Sequence, residues 1–175
     1  MSNVRPCGIR SKAELLAHAD ALTQESEDRY EQMADSMVMH NNLKIAALFR
    51  ELVAMTARCR QWLDTVIDGI TLPQIAPWEF VWHRQEEPGS LCFDDIDYLS
   101  NTAKVLTAAL ANERFAHDFY LTVAEQCDEE QVRELAKELV RYQAGQCAYL
   151  EQRLKQQPDE KHEVTEDPDP PNTPE

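Results

Sequence analysis

The sequence predicts an all-α protein: an antiparallel four-helix bundle with one long crossover between its second and third helices. Three observations carry that expectation. Apolar residues recur by threes and fours along four long stretches, which places them on one face of each helix. A segment rich in proline and aromatic residues, without that period, separates the second stretch from the third. The two halves also align with each other: Thr23 to Ala34 followed by Leu48 to Leu63 matches Glu113 to Ala124 followed by Leu135 to Leu150. The shared landmarks are Tyr30 and Tyr120, the pairs Met33-Ala34 and Val123-Ala124, and the pairs Trp62-Leu63 and Tyr149-Leu150.

The first helix opens on Ser11-Lys12-Ala13-Glu14, where the serine and glutamate side chains can each satisfy a backbone N–H that the helix leaves free. It is expected to run to about Met39, with Leu16, Ala19, Thr23, Ser26, Tyr30, Met33 and Met37 inward. His40-Asn41-Asn42 is a short polar turn, so the second helix, about Leu43 to Asp68, returns beside the first. Its seam is Ile45, Phe49, Leu52, Thr56, Cys59 and Leu63, and Gly69 is a plausible stop.

From about 70 to 99 the helical period disappears, and Pro73, Pro77, Pro88 and Gly89 interrupt the chain. Trp78, Phe80, Trp82 and Phe93 are too apolar for a free linker, and the crossover is expected to strap the bundle with those rings covering its side. The third helix starts near Ser100 or Asn101 and reaches about Gln126, with Leu106, Ala109, Glu113, Ala116, Tyr120 and Val123 inward. Asp128-Glu129-Glu130-Gln131 has the form of a cap for the fourth, whose seam is Val132, Leu135, Ala136, Leu139, Gln143, Gln146, Leu150 and Leu154.

Residues 11–156 therefore form the bundle, preceded by an extension over 1–10. The segment 157–175 carries five prolines and seven acidic residues, a composition that cannot bury enough apolar surface to fold, and is expected to be disordered. A length of 175 residues, 43% hydrophobic, suits one core. The formal charge of −15 argues against nucleic acid and anionic lipid as partners. No stretch approaches the roughly 20 apolar residues of a membrane span, and Met1 to Arg10 has no apolar core of a secretory signal. The expected location is cytoplasmic. Cys7, Cys59, Cys92, Cys127 and Cys147 are odd in number and lack C-x-x-C spacing, as expected of reduced thiols.

With its two helix pairs, single crossover, Tyr-x-x-hydrophobic-Ala landmarks, the stretch Leu48-Phe49-Arg50-Glu51-Leu52, Trp78 and internal duplication, the chain resembles the ferritin-like superfamily, in particular its rubrerythrin-type di-iron domains, over about residues 11–156. The resemblance implies a glutamate seven residues before each tyrosine landmark, then a Glu-x-x-His pair on the following helix, because residues three apart share a helix face and can meet one metal. At those positions the first half has Thr23, Thr56 and Cys59; the second has Glu113, Gln143 and Gln146. One carboxylate remains and neither histidine does. Neutral hydroxyl and amide oxygens replace neither the charge nor the bond strength that two irons need. Glu25 points away from this face and Glu27 lies on its flank.

The interior at these positions is therefore expected to be a pocket of Thr23, Thr56, Cys59, Glu113, Gln143 and Gln146, lined further by Ser26, Tyr30 and Tyr120. Its groups must satisfy one another or enclose water, since each unpaired buried polar atom costs roughly 1 to 3 kcal/mol. Glu113 is expected to accept hydrogen bonds from Gln143, Gln146 or a tyrosine and, lacking a cation, to have a raised pKa. The resulting expectation is a non-catalytic binding or assembly module with no cofactor, homodimeric as the resemblance implies. The alternative is a metal-binding oxidoreductase or ferroxidase holding iron or another transition metal at a rearranged site of Glu113, Cys59 and His117. A thiol sensor using Cys59, Cys127 or Cys147 is a third possibility. No rubredoxin-type cysteine knuckle follows Leu154.

Overall fold

The computed structural model describes residues 8–81 and 93–158. Four long helices account for most of them: α1 (Lys12–Met39), α2 (Leu43–Ile67), α3 (Thr102–Gln126) and α4 (Glu130–Lys155). The architecture is the expected all-α four-helix bundle. Trp82 and residues 159–175, most of the acidic tail, lie outside the described residues.

Local sequence sets the boundaries. The Ser11 side chain accepts from the Glu14 N–H at 3.1 Å, while the Glu14 carboxylate reaches back past it to the Arg10 N–H at 2.8 Å. Asn41 turns the chain between α1 and α2 at a φ of 58°, a region asparagine tolerates, and Asn42 then caps α2 by accepting from the Ile45 N–H. Past the end of α2, Gly69 takes a φ of +74°, the left-handed stop that glycine adopts without penalty. Asn101 caps α3 through the Lys104 N–H at 2.9 Å. The cap expected at Asp128–Gln131 does not form: Glu129 makes no side-chain capping bond, and Arg133 instead donates to the Cys127 and Asp128 carbonyls.

The seams meet in two apolar clusters stacked along the bundle. One joins the ends of α1 and α4 to the beginnings of α2 and α3 around Tyr30, Met37, Phe49, Leu106 and Leu150. The other joins the beginnings of α1 and α4 to the ends of α2 and α3 around Leu16, Leu63, Val123 and Leu135, with Ile9 from ahead of α1. Hence α1 and α4 run one way and α2 and α3 the other, which a single lengthwise crossover permits. Side chains also tie the hairpins laterally: Asn112 of α3 to Ser26 of α1, and Arg153 of α4 to Glu51 of α2 at 2.8 Å.

The crossover is held differently from expectation. Phe93 is buried against Tyr30 and Phe49, and Phe80 meets the His18 ring edge-on at 5.1 Å. Trp78, expected to cover the bundle, is 77% exposed, because the short 3₁₀ turn Pro77–Glu79 turns it outward. Ile70, Leu72 and Val81 make the apolar contacts instead. His18, which the periodicity did not single out, is buried and fastens this strap. Its Nδ1 lies 2.8 Å from the Glu14 carbonyl and its Nε2 accepts from the Val81 N–H at 3.2 Å, a pairing that suits the neutral ring. Burial accordingly lowers its pKa, over the opposing pull of the Glu14 carbonyl and carboxylate.

The seam of α4 also needs correcting. Gln143, Cys147 and Leu150 are buried, whereas Gln146 is only partly so. The inward line thus runs through Cys147, which the expected seam left out, and Gln146 stands on its flank. A buried stripe wider than 100° accommodates both.

Gly145 lies in the interior of α4, where glycine costs about 0.5–1 kcal/mol relative to alanine. A methyl group there would meet no atom within 4 Å. Gly145→Ala is therefore expected to stabilise the fold by about that amount, read as a higher melting temperature.

Candidate functional site

Midway along the bundle the two apolar clusters are separated by a polar layer. Thr23, Ser26, Thr56, Cys59, Glu113, Tyr120, Gln143 and Gln146 line one cavity of about 30 Å³, together with Leu22, Asn112 and Ala116. Each of the four helices contributes, because each carries one or more polar residues at the same level of its seam. Tyr30 enters from the side of the apolar cluster. His117 does not line this cavity; it is partly exposed on α3 with its Nδ1 3.0 Å from Asp118.

Glu113 is the hub. Its Oε1 accepts from the Tyr30 hydroxyl at 3.1 Å and from the Asn112 amide at 3.5 Å, and its Oε2 accepts from the Gln143 amide. Asn112 also donates to Ser26 at 3.0 Å and to Tyr30 at 3.3 Å. Gln143 continues the chain by donating to Gln146 at 3.2 Å, so Gln146 reaches Glu113 only through it. Asn112 was not anticipated. As the residue before an inward glutamate it reads as a surface position, yet it faces α1 where the two helices meet.

The remaining polar groups are committed locally. Thr23 donates to the Ala19 carbonyl at 2.8 Å and Thr56 to the Leu52 carbonyl at 3.0 Å, each one turn back along its own helix. Nearby acids are engaged elsewhere: Glu25 pairs with Arg29 at 3.0 Å, and Glu27 with Arg60 at 2.7 Å. The flank position of Glu27 is thus an ion pair to α2.

Burial dominates the electrostatics. It raises the Glu113 carboxyl pKa above the ordinary value of 4.5, although its bonds from Tyr30, Asn112 and Gln143 pull the other way. It also holds the Tyr30 and Tyr120 phenols well above 10, reinforced by the Glu113 charge. The Cys59 thiol is pushed up to about 11 by desolvation, with Thr23 opposing and Glu113 adding. These groups all hold their protons more tightly than they would in water. The thiol is accordingly a poor nucleophile. Iodoacetamide at pH 8 followed by peptide mass spectrometry should leave Cys59 unmodified in the folded protein and label it after denaturation.

The donor set does not fit a di-iron group. Glu113 is the single carboxylate in the cavity, the threonine hydroxyls are spent on backbone carbonyls, and the amide oxygen of Gln146 accepts from Gln143. Two irons require several anionic ligands to balance their charge. Among the described residues, no group of three or more His, Cys, Asp and Glu side chains is placed to hold a metal ion. The cavity has room for about one water molecule, which such polar walls can bind.

No protein-family model and no curated protein matches the chain. A solved structure does: the crystal structure of an uncharacterized conserved protein from Magnetospirillum magnetotacticum MS-1 is similar, with a TM-score of 0.64 and 27% sequence identity. The match covers 85% of this chain and 97% of that one. Among the described residues, no helix is long and apolar enough to cross a membrane.

Proposed function

We propose that this chain is a ferritin-like, rubrerythrin-related protein that has lost most of its di-iron ligands and serves as a non-catalytic binding or assembly module. The observation that carries the reading is the hydrogen-bond network around Glu113. At the positions where the superfamily presents carboxylates and imidazoles to metal, these side chains are turned toward one another or toward their own helices. Such a layer fixes the register of α1, α3 and α4, because sliding any one of these three leaves buried donors unpartnered. Fold and chemistry are separable, and here the fold persists without the donor set.

The test is metal analysis of protein purified without chelator, followed by addition of ferrous iron in air. The module reading expects less than stoichiometric metal and iron oxidation no faster than in buffer. Two irons per chain with accelerated oxidation would overturn it. One zinc or copper lost on Cys59→Ser would overturn it in favour of a rearranged site. Sedimentation of the same preparation checks the homodimer that the resemblance implies.

A further inference from the structure

Beside the central layer, a groove of about 250 Å³ opens to solvent between α2 and α4, lined by Met55, Arg58, Tyr142, Gly145, Gln146 and Tyr149. Its aromatic ends are held from behind. Tyr142 stacks on Trp62 with ring centroids 5.2 Å apart, and Tyr149 receives a hydrogen bond of 2.8 Å from Arg153, whose guanidinium also lies over the ring. Arg153 is fixed in turn by Glu51. Between the tyrosines Gly145 leaves a notch that no atom of the described chain occupies. Neither packing nor a positive φ accounts for a glycine there.

Arg58 faces this notch across the helix pair. The internal repeat explains the juxtaposition: the spacing that matches Trp62 with Tyr149 also matches Arg58 with Gly145, so one half supplies a long cation where the other supplies empty space. Arg29, Arg60, Arg114 and Arg153 are each paired with a carboxylate. Arg58, like Arg10, Arg50, Arg133 and Arg141, has no such partner among the described residues, and of these it is the one that lines the groove. Its charge is close enough to act on the Tyr142 phenol.

We propose that this groove binds a small planar carboxylate about one aromatic ring in size, its ring resting on Gly145 between Tyr142 and Tyr149 and its carboxylate paired with Arg58. The guanidinium fork matches a carboxylate in geometry as well as charge. The walls offer aromatic faces and edges and the thioether of Met55 to a flat apolar body. The volume is below the range that drug-sized ligands fill, which limits the occupant to a small one. A second copy docked about a two-fold axis through Arg58 would bring that charge against its own equivalent, an unfavourable pairing in a self-complementary interface. Gln146 lines both this groove and the central cavity, so an occupant would touch the end of the Glu113 network without entering it.

The experiment is titration of the ¹⁵N-labelled full chain with sodium benzoate, followed by amide shifts. Saturable shifts are expected at Gly145, Gln146 and Tyr149. Arg58→Gln, and benzamide in place of benzoate, should each weaken binding at least about tenfold through loss of the charge-assisted bonds. Gly145→Leu, which fills the notch, should abolish binding without lowering the melting temperature. No saturable shift up to about 10 mM, or equal affinity in Arg58→Gln, would overturn the proposal. So would a change in sedimentation of Gly145→Leu from dimer to monomer, which would assign the glycine to a contact between copies. Iron uptake by the protein would overturn the module reading and leave this proposal standing, so the two fail separately.

Discussion

Glu113→Leu is expected to destabilise the protein by about 2–4 kcal/mol, measured by urea denaturation at neutral pH. The leucine leaves the Tyr30 hydroxyl and the Asn112 and Gln143 amides facing an apolar side chain, in a cavity with little room for replacement water. Glu113→Gln should stay within about 1 kcal/mol of wild type, because an amide keeps an acceptor for Tyr30 and Gln143 can turn its own amide to suit. Both variants also lose the pH dependence that the carboxyl gives the wild type. The folded-state pKa of Glu113 is raised, so the stability it contributes is complete below the ordinary carboxylate range and is lost as pH rises through the elevated value. Wild type minus Glu113→Gln should therefore decline over that window. A difference that grows with pH would mean that Glu113 is buried as a stabilised anion.

Phe49→Ala is expected to cost about 3–5 kcal/mol, as for other fully buried aromatic residues. Phe49 is 0% exposed and packs against both Tyr30 of α1 and Phe93 of the crossover, so its loss opens a cavity where three segments meet. Trp78→Ala, by contrast, should change stability by less than about 0.5 kcal/mol, since the ring stands in solvent. Thermal or urea unfolding of the two variants side by side distinguishes them. Equal losses would mean that the crossover is held by its exposed ring.

Periodicity was sufficient for the parts of the fold that depend on one helix at a time. The seam of α2 from Ile45 to Leu63 is buried at every position named, because an amphipathic stripe and its burial have the same cause. The cap at Ser11 was readable for the same local reason, whereas Asn42 and Asn101, read only as a turn and a helix start, also cap by accepting backbone N–H groups. Residues whose environment is made by a second segment were not readable. His18 looks like a polar interruption among alanines until the crossover brings the Val81 N–H to it. Trp78 looks like core until the turn at Pro77 directs it outward. Cys147 and Gln146 differ by 100° around the helix, and only packing against the Tyr30 and Phe49 cluster selects the thiol as the inward one.

The cavity shows the same division. The family resemblance, laid on the helical register, singled out Thr23, Thr56, Cys59, Glu113, Gln143 and Gln146, and all six line one space. Which of them bond to each other depended on side-chain reach. The threonines turn back onto their own helices, Gln143 rather than Gln146 meets Glu113, and Asn112 closes the network from outside the predicted set.

The central claim is that Glu113 is held by neutral donors and not by a cation, and its own titration tests this most directly. A cation at this position would favour the ionised carboxylate and depress its pKa, whereas burial among neutral groups raises it. The side-chain carboxyl carbon of Glu113, followed by ¹³C NMR on the purified full chain and assigned through Glu113→Gln, should titrate above the ordinary value of 4.5. A midpoint at or below that value would contradict the account.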